Sequence, residues 1–172
     1  MRPVAEFFLN TMQLSELIKA LEAFAPPAYQ ESYDNAGLIT GNPSQTISGA
    51  LICLDSTEAV IDEAIKEKCN LVIAHHPIIF SGLKKINGKN YVERTIIKAI
   101  KNDIAIYAAH TNLDNVSKGV NAKIAEKIGL ENCSILQPKT GLLKKLVTFC
   151  PHDKAAEVRD ALFKAGAGEI GN

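Results

Sequence analysis

Apolar residues recur along the chain at two spacings, and the switches between them mark its elements. Leu14, Leu17, Ile18, Leu21 and Phe24 share one helical stripe, which Pro26-Pro27 brings to an end. From Gly49 the pattern turns regular. Ala50-Leu51-Ile52-Cys53-Leu54 is an unbroken apolar run of the kind found in buried parallel strands, and it ends at Asp55. Asp55 or Ser56 is placed to cap a helix with Val60, Ile61, Ala64 and Ile65 on its stripe. A strand over Asn70 to Ala74 follows, then a loop from Ile78 to Asn90. A helix from about Tyr91 carries Val92, Ile96, Ile97 and Ile100, and a strand from Ile104 to Ala109 runs into His110. A further helix is predicted over Val116 to Ile128, stopped by Gly129.

Alternating strands and helices predict an α/β fold: a layered α/β/α arrangement with a largely parallel sheet and right-handed crossovers. Tyr33-Asp34-Asn35-Ala36-Gly37, continuing to Gly41, reads as a turn-rich structural loop. Near the end, Lys145 to Cys150 reads as a strand and Lys154 to Ala165 as a helix, closed by Gly166-Ala167-Gly168. Residues 1–11 do not follow the period of what comes next. They are expected to be a disordered extension upstream of a natural start at Met12.

Composition narrows the picture only a little. The 172 residues are 47% hydrophobic and 22% charged, an ordinary globular balance for one domain and the start of a second. Lys plus Arg and Asp plus Glu each number 19, so no basic field marks a nucleic-acid partner. No apolar run approaches membrane-spanning length, and Val4 to Leu9 is short and broken by a charge, which makes a poor signal peptide. Cys53, Cys69, Cys133 and Cys150 are widely spaced without a CxxC pair, the usage of a reducing, cytoplasmic protein.

The candidate chemistry sits at the strand ends. Leu71-Val72-Ile73-Ala74 runs into His75-His76-Pro77. Neighbouring strand residues face opposite ways, so two histidines inside a strand would not share a target. Pro77 predicts that the strand stops near His75 and that both imidazoles swing into one crevice beyond it. In parallel α/β sheets, sites form beyond the carboxyl ends of the strands. Asp55, His75 with His76, and His110 with Asp114 follow three successive strands and are expected along one edge. Histidine with carboxylate suits a divalent metal such as zinc, iron, manganese or nickel. Each residue also has a plainer role. Asp55 can be a helix cap, and His110 can orient a ligand through its other ring nitrogen. Lys84, Lys85 and Lys89 can be a solvated loop or an attraction for an anionic substrate. Cys150-Pro151-His152 has no partner pair and is taken as incidental.

Tyr33-Asp34-Asn35-Ala36-Gly37-Leu38 with Gly41, Ile73-Ala74-His75-His76-Pro77, and His110-Thr111-Asn112-Leu113-Asp114 occur here in the order seen in the Nif-three-like family. The chain resembles that family, the GTP cyclohydrolase 1 type 2 homologues, continuously from Met12 to Pro138. The resemblance implies a dinuclear metal centre, two divalent ions per subunit, within a toroidal homohexamer. By position, His75, His76 and Asp114 resemble its N-terminal metal ligands. Its remaining ligands are a histidine and a glutamate four residues apart, and nothing after Asp114 supplies them; four residues past His152 stands Ala156. The resemblance divides the chain into an extension (1–11), a metal-binding α/β domain (12–143) and the truncated start of a ferredoxin-like, PII/CutA-like insertion (144–172).

Three function classes follow. The first is a metal-dependent hydrolase acting on a nucleotide or phosphoester-type substrate. The second is a metal-binding assembly or regulatory protein without turnover. The third, a nucleotide-binding α/β protein without metal, ranks last because no GxGxxG or Walker loop follows any strand. With Asp114 as the only assigned carboxylate, two cations side by side would repel. At most one weakly held ion per chain and negligible hydrolysis are therefore expected, unless Asp34 or Asp55 reaches the site.

Overall fold

A computed structural model of the chain describes residues 12–136, 138 and 145–168. The extension expected over 1–11 lies outside the described residues. The chain parts into two compact units at the boundary between Ile124 and Ala125.

The first unit is built on a four-stranded sheet in the order β1-β4-β3-β2: β1 Gly37–Thr40, β2 Ala50–Asp55, β3 Leu71–His76 and β4 Ala105–Ala108. β2, β3 and β4 are parallel, with Ala50 opposite Leu71 and Leu71 opposite Ala105. The largely parallel α/β sheet expected from the alternation is present. β1 departs from that expectation. It lies in the segment read as a loop, and it pairs antiparallel to β4, Gly37 opposite Ala108. The two-residue period is hidden there because Gly37 carries no side chain and only Leu38-Ile39 is apolar.

Strand alternation sorts the core into two layers. On one face, Val72, Ile104 and Ile106 pack with Ile61 and Ala64 of α2 (Glu58–Lys66) and Ile96 and Ala99 of α3 (Tyr91–Lys101). On the other, Leu71, Ala105 and Tyr107 pack with Leu14, Leu17, Ile18 and Leu21 of α1 (Leu14–Phe24). Each fully buried leucine or isoleucine contributes about 1.5–3 kcal/mol of transfer free energy. β4 is buried at all four positions, as a central strand between two helical layers must be. Burial raises the Tyr107 phenol to about 12, and Glu22 adds to the shift.

Three boundaries differ from the sequence pattern. β3 continues through His76, because its backbone stays paired with β2 as far as Asp55 opposite His76. Thr57, not Asp55 or Ser56, caps α2: its hydroxyl accepts from the Val60 N–H at 3.3 Å. The helix expected from Val116 begins at Val120 as α5 (Val120–Lys127), preceded by the single turn α4 (Thr111–Asp114). Between them Gly119 passes so close to the Leu113 carbonyl that a Cβ would sit 2.0 Å from its oxygen, so only glycine fits this break between the helices. Gly41 is constrained in the same way, at φ +125° with a Cβ position 2.5 Å from that of Ala105.

In the second unit, α6 (Ala155–Lys164) follows a 3₁₀ turn over His152–Lys154, close to the predicted helix. Lys145 to Cys150, expected as a strand, adopts no regular secondary structure. A strand needs a ladder partner, and none occurs for this segment among the described residues.

Candidate metal centre

The sheet register gathers the chemistry at one edge. Ala74 lies opposite Ala108, and the Ala109 N–H donates to the Ala74 carbonyl at 2.9 Å. His75-His76 and His110 therefore leave adjacent strands at the same level. The three rings form a triangle, with centroids 5.0 Å apart for His75 and His76, 5.4 Å for His75 and His110, and 5.6 Å for His76 and His110. One ring nitrogen from each lies within 4.8 Å of the others. The expectation that two histidines inside a strand cannot meet is corrected. Alternation sets only the Cα–Cβ direction, and at a strand's end the rings are long enough to turn past the edge towards each other.

Asp114 stands one helical turn beyond His110, and its Oδ1 lies 3.7 Å from His75 Nε2. That is too long for a hydrogen bond. It is close to the spacing of two atoms sharing one ion, since bonds of about 2.0–2.1 Å to tetrahedral zinc put neighbouring ligand atoms about 3.3 Å apart. The donor set of three imidazoles and an adjacent carboxylate fits a borderline divalent cation, and a small closure of side chains would complete it.

Two further carboxylates lie behind the rings. Asp55, opposite His76 in the β2–β3 register, places Oδ1 2.8 Å from His76 Nδ1. Asp34 places Oδ1 2.8 Å from His110 Nδ1, and its side chain is 0% exposed. Burial alone would raise the Asp34 pKa. Hydrogen bonds from the Thr111 hydroxyl, His110 and the Asn35 and Thr111 backbone N–H groups outweigh burial and hold it below the ordinary carboxylate value. Phe80 meets His110 edge-on at 6.3 Å, and Tyr33 lies 6.2 Å from Phe80.

The structure thus brings His75, His76 and His110 together and sets Asp114 beside His75. Asp34 and Asp55 stand on ring nitrogens. The partnership of Asp34 with His110 spans 76 residues of sequence and depends on β1 running antiparallel. Such a strand enters the sheet from the carboxyl edge, so the residues just before it land at the site. Asp34 in the Tyr33–Gly37 segment was the visible trace of this.

A profile of the Duf34/NIF3 (NGG1p interacting factor 3) family matches residues 12–172. The chain belongs to the Duf34/NIF3 family. It is 45% identical over 157 residues to the GTP cyclohydrolase 1 type 2 homolog of Halalkalibacterium halodurans, covering 91% of this chain and 42% of the relative. The Bacillus subtilis protein of the same name gives the same identity and coverage. Among solved structures, a Bacillus cereus protein related to NIF3 superposes with a TM-score of 0.71 at 42% identity, over 94% of this chain and 45% of that one. Staphylococcus aureus protein SA1388 gives 0.73 at 34% identity, over 90% and 44%. This Duf34/NIF3 chain spans less than half the length of these relatives. No helix among its described residues is long and apolar enough to cross a membrane.

Proposed function

We propose that this chain is the metal-binding N-terminal portion of a Duf34/NIF3 metal-dependent hydrolase, with His75, His76 and Asp114 as ligands and His110 beside them as a further donor. The observation that carries the reading is the convergence of three imidazoles from two adjacent strands. Zinc, iron, manganese or nickel all suit that donor set. A divalent ion held by these residues would supply Lewis acidity to a bound water and to the bond attacked. The protein's part is to orient. Asp55 and Asp34 hold Nδ1 of His76 and His110, which leaves Nε2 of each ring for a ligand bond.

The name of the relatives, GTP cyclohydrolase 1 type 2 homolog, supports a nucleotide or phosphoester-type substrate. The proposal includes a cytoplasmic setting, for which the wide spacing of Cys53, Cys69, Cys133 and Cys150 without a CxxC pair speaks. It also includes homohexamers of full-length chains holding two ions per subunit, and a 12–143 metal domain followed by an insertion from 144. A non-catalytic metal-binding role is the competing reading. Incubating GTP with the metal-loaded chain and with a full-length relative separates the two. Metal-dependent product from the relative supports hydrolysis, and metal binding without product from either supports the non-catalytic role.

A further inference from the structure

We propose that Asp34 is a positioning residue that commits His110 to the tautomer protonated on Nδ1, leaving Nε2 as its bare nitrogen. This rests on the metal reading for its purpose, but not for its geometry. The Asp34 side chain is fully buried, and four donors converge on its two oxygens. Oδ1 accepts from the Asn35 N–H at 2.6 Å and from His110 Nδ1 at 2.8 Å. Oδ2 accepts from the Thr111 N–H at 3.0 Å and from the Thr111 hydroxyl.

An ionised carboxylate only accepts, so the His110 nitrogen facing it must carry the proton. A neutral imidazole has one such proton, and Nε2 is therefore a lone pair. The arrangement cannot easily relax. Thr111 accepts from the Glu31 N–H at 2.9 Å, so its hydroxyl proton is directed to Asp34. Asn35 in turn donates through Nδ2 to the Ile79 carbonyl at 2.6 Å, tying the segment to the loop after β3. The Asp55–His76 pair differs, since both side chains are about half exposed and water can compete there. The Tyr33–Gly37 segment thus acts as a brace that presents one imidazole.

The test is nitrogen NMR of the metal-free, isotope-labelled chain, which reads the tautomer of His110 directly. The wild type is expected to show Nδ1–H with Nε2 unprotonated. Asp34→Ala is expected to move His110 towards the Nε2–H form that free histidine favours in water. Its zinc affinity should fall about 10–100-fold, the usual cost of losing a partner that orients a ligand. Thr111→Val removes the hydroxyl but not the Asp34–His110 bond, so the tautomer should persist. A wild-type His110 protonated on Nε2 overturns the proposal, as does an unchanged tautomer in folded Asp34→Ala or a switched one in Thr111→Val. Should Asp34→Ala not fold, the wild-type and Thr111→Val spectra decide alone. An Nδ1–H His110 in a protein that binds no zinc would sustain this assignment while removing the metal reading.

Discussion

His76 Nδ1 and Asp55 Oδ1 stand 2.8 Å apart because the β2–β3 register sets residues 55 and 76 side by side at the edge of the sheet. Both side chains are about half exposed, 46% and 60%, so the pair is a weak contributor to stability. Asp55→Ala should shift the unfolding free energy by less than about 1 kcal/mol. Zinc affinity should fall by about tenfold or more as the ring loses its orientation. Chemical denaturation and calorimetric titration of the same sample check both halves. A large loss of stability with unchanged affinity would assign Asp55 a structural role instead.

Glu93 offers a pH test away from the site. Its carboxylate accepts from the backbone N–H of Lys89 at 2.9 Å and of Asn87 at 3.1 Å, and from Asn90 Nδ2 at 2.9 Å. The Lys89 and Asn87 bonds are the main cause of a pKa held below the ordinary glutamate value. A depressed folded-state pKa stabilises the protein above the unfolded value, and the benefit is lost as pH falls through the folded one. Wild type should therefore be more stable than Glu93→Gln at neutral pH, with the gap closing below the ordinary glutamate range. Urea melts across a pH series measure this, and a pH-independent gap would contradict it.

α6 should exchange well before the central strands. α6 buries none of its residues, and Phe149 and Phe163 are exposed. Helices that bury no face gain little beyond their own marginal propensity. Amide hydrogen exchange should show α6 fully exchanged while β3 and β4 remain protected. Protection in α6 equal to that of β4 would refute this.

The fold was legible where apolar runs and stripes mark an element. The runs at Leu51 to Leu54 and Leu71 to Ala74, and the stripe Val92, Ile96, Ile100, correspond to β2, β3 and α3. β2 is not the buried strand its run implied, since it lies at the sheet edge with Ile52 and Leu54 exposed, as is Ile100. Legibility failed where contact rather than pattern decides. β1 exists because β4 offers a ladder partner, and the break before α5 is a close approach of backbone to backbone that admits only glycine at 119. At the site, His75, His76 and Asp114 could be named from strand ends and resemblance. The gathering of His110 with the paired histidines was also expected from the ends of parallel strands, but the burial of Asp34 behind it needed the antiparallel strand that the sequence read as a loop.

The central claim is that this chain carries one metal site made by its own strand-end residues, and zinc titration by calorimetry tests it most directly. One ion per chain is predicted for the wild type. Binding should weaken sharply in His75→Ala, because the remaining donors hold a divalent ion poorly. Two tight sites per chain, or undiminished binding when His75, His76 and His110 are all replaced by alanine, would contradict the account.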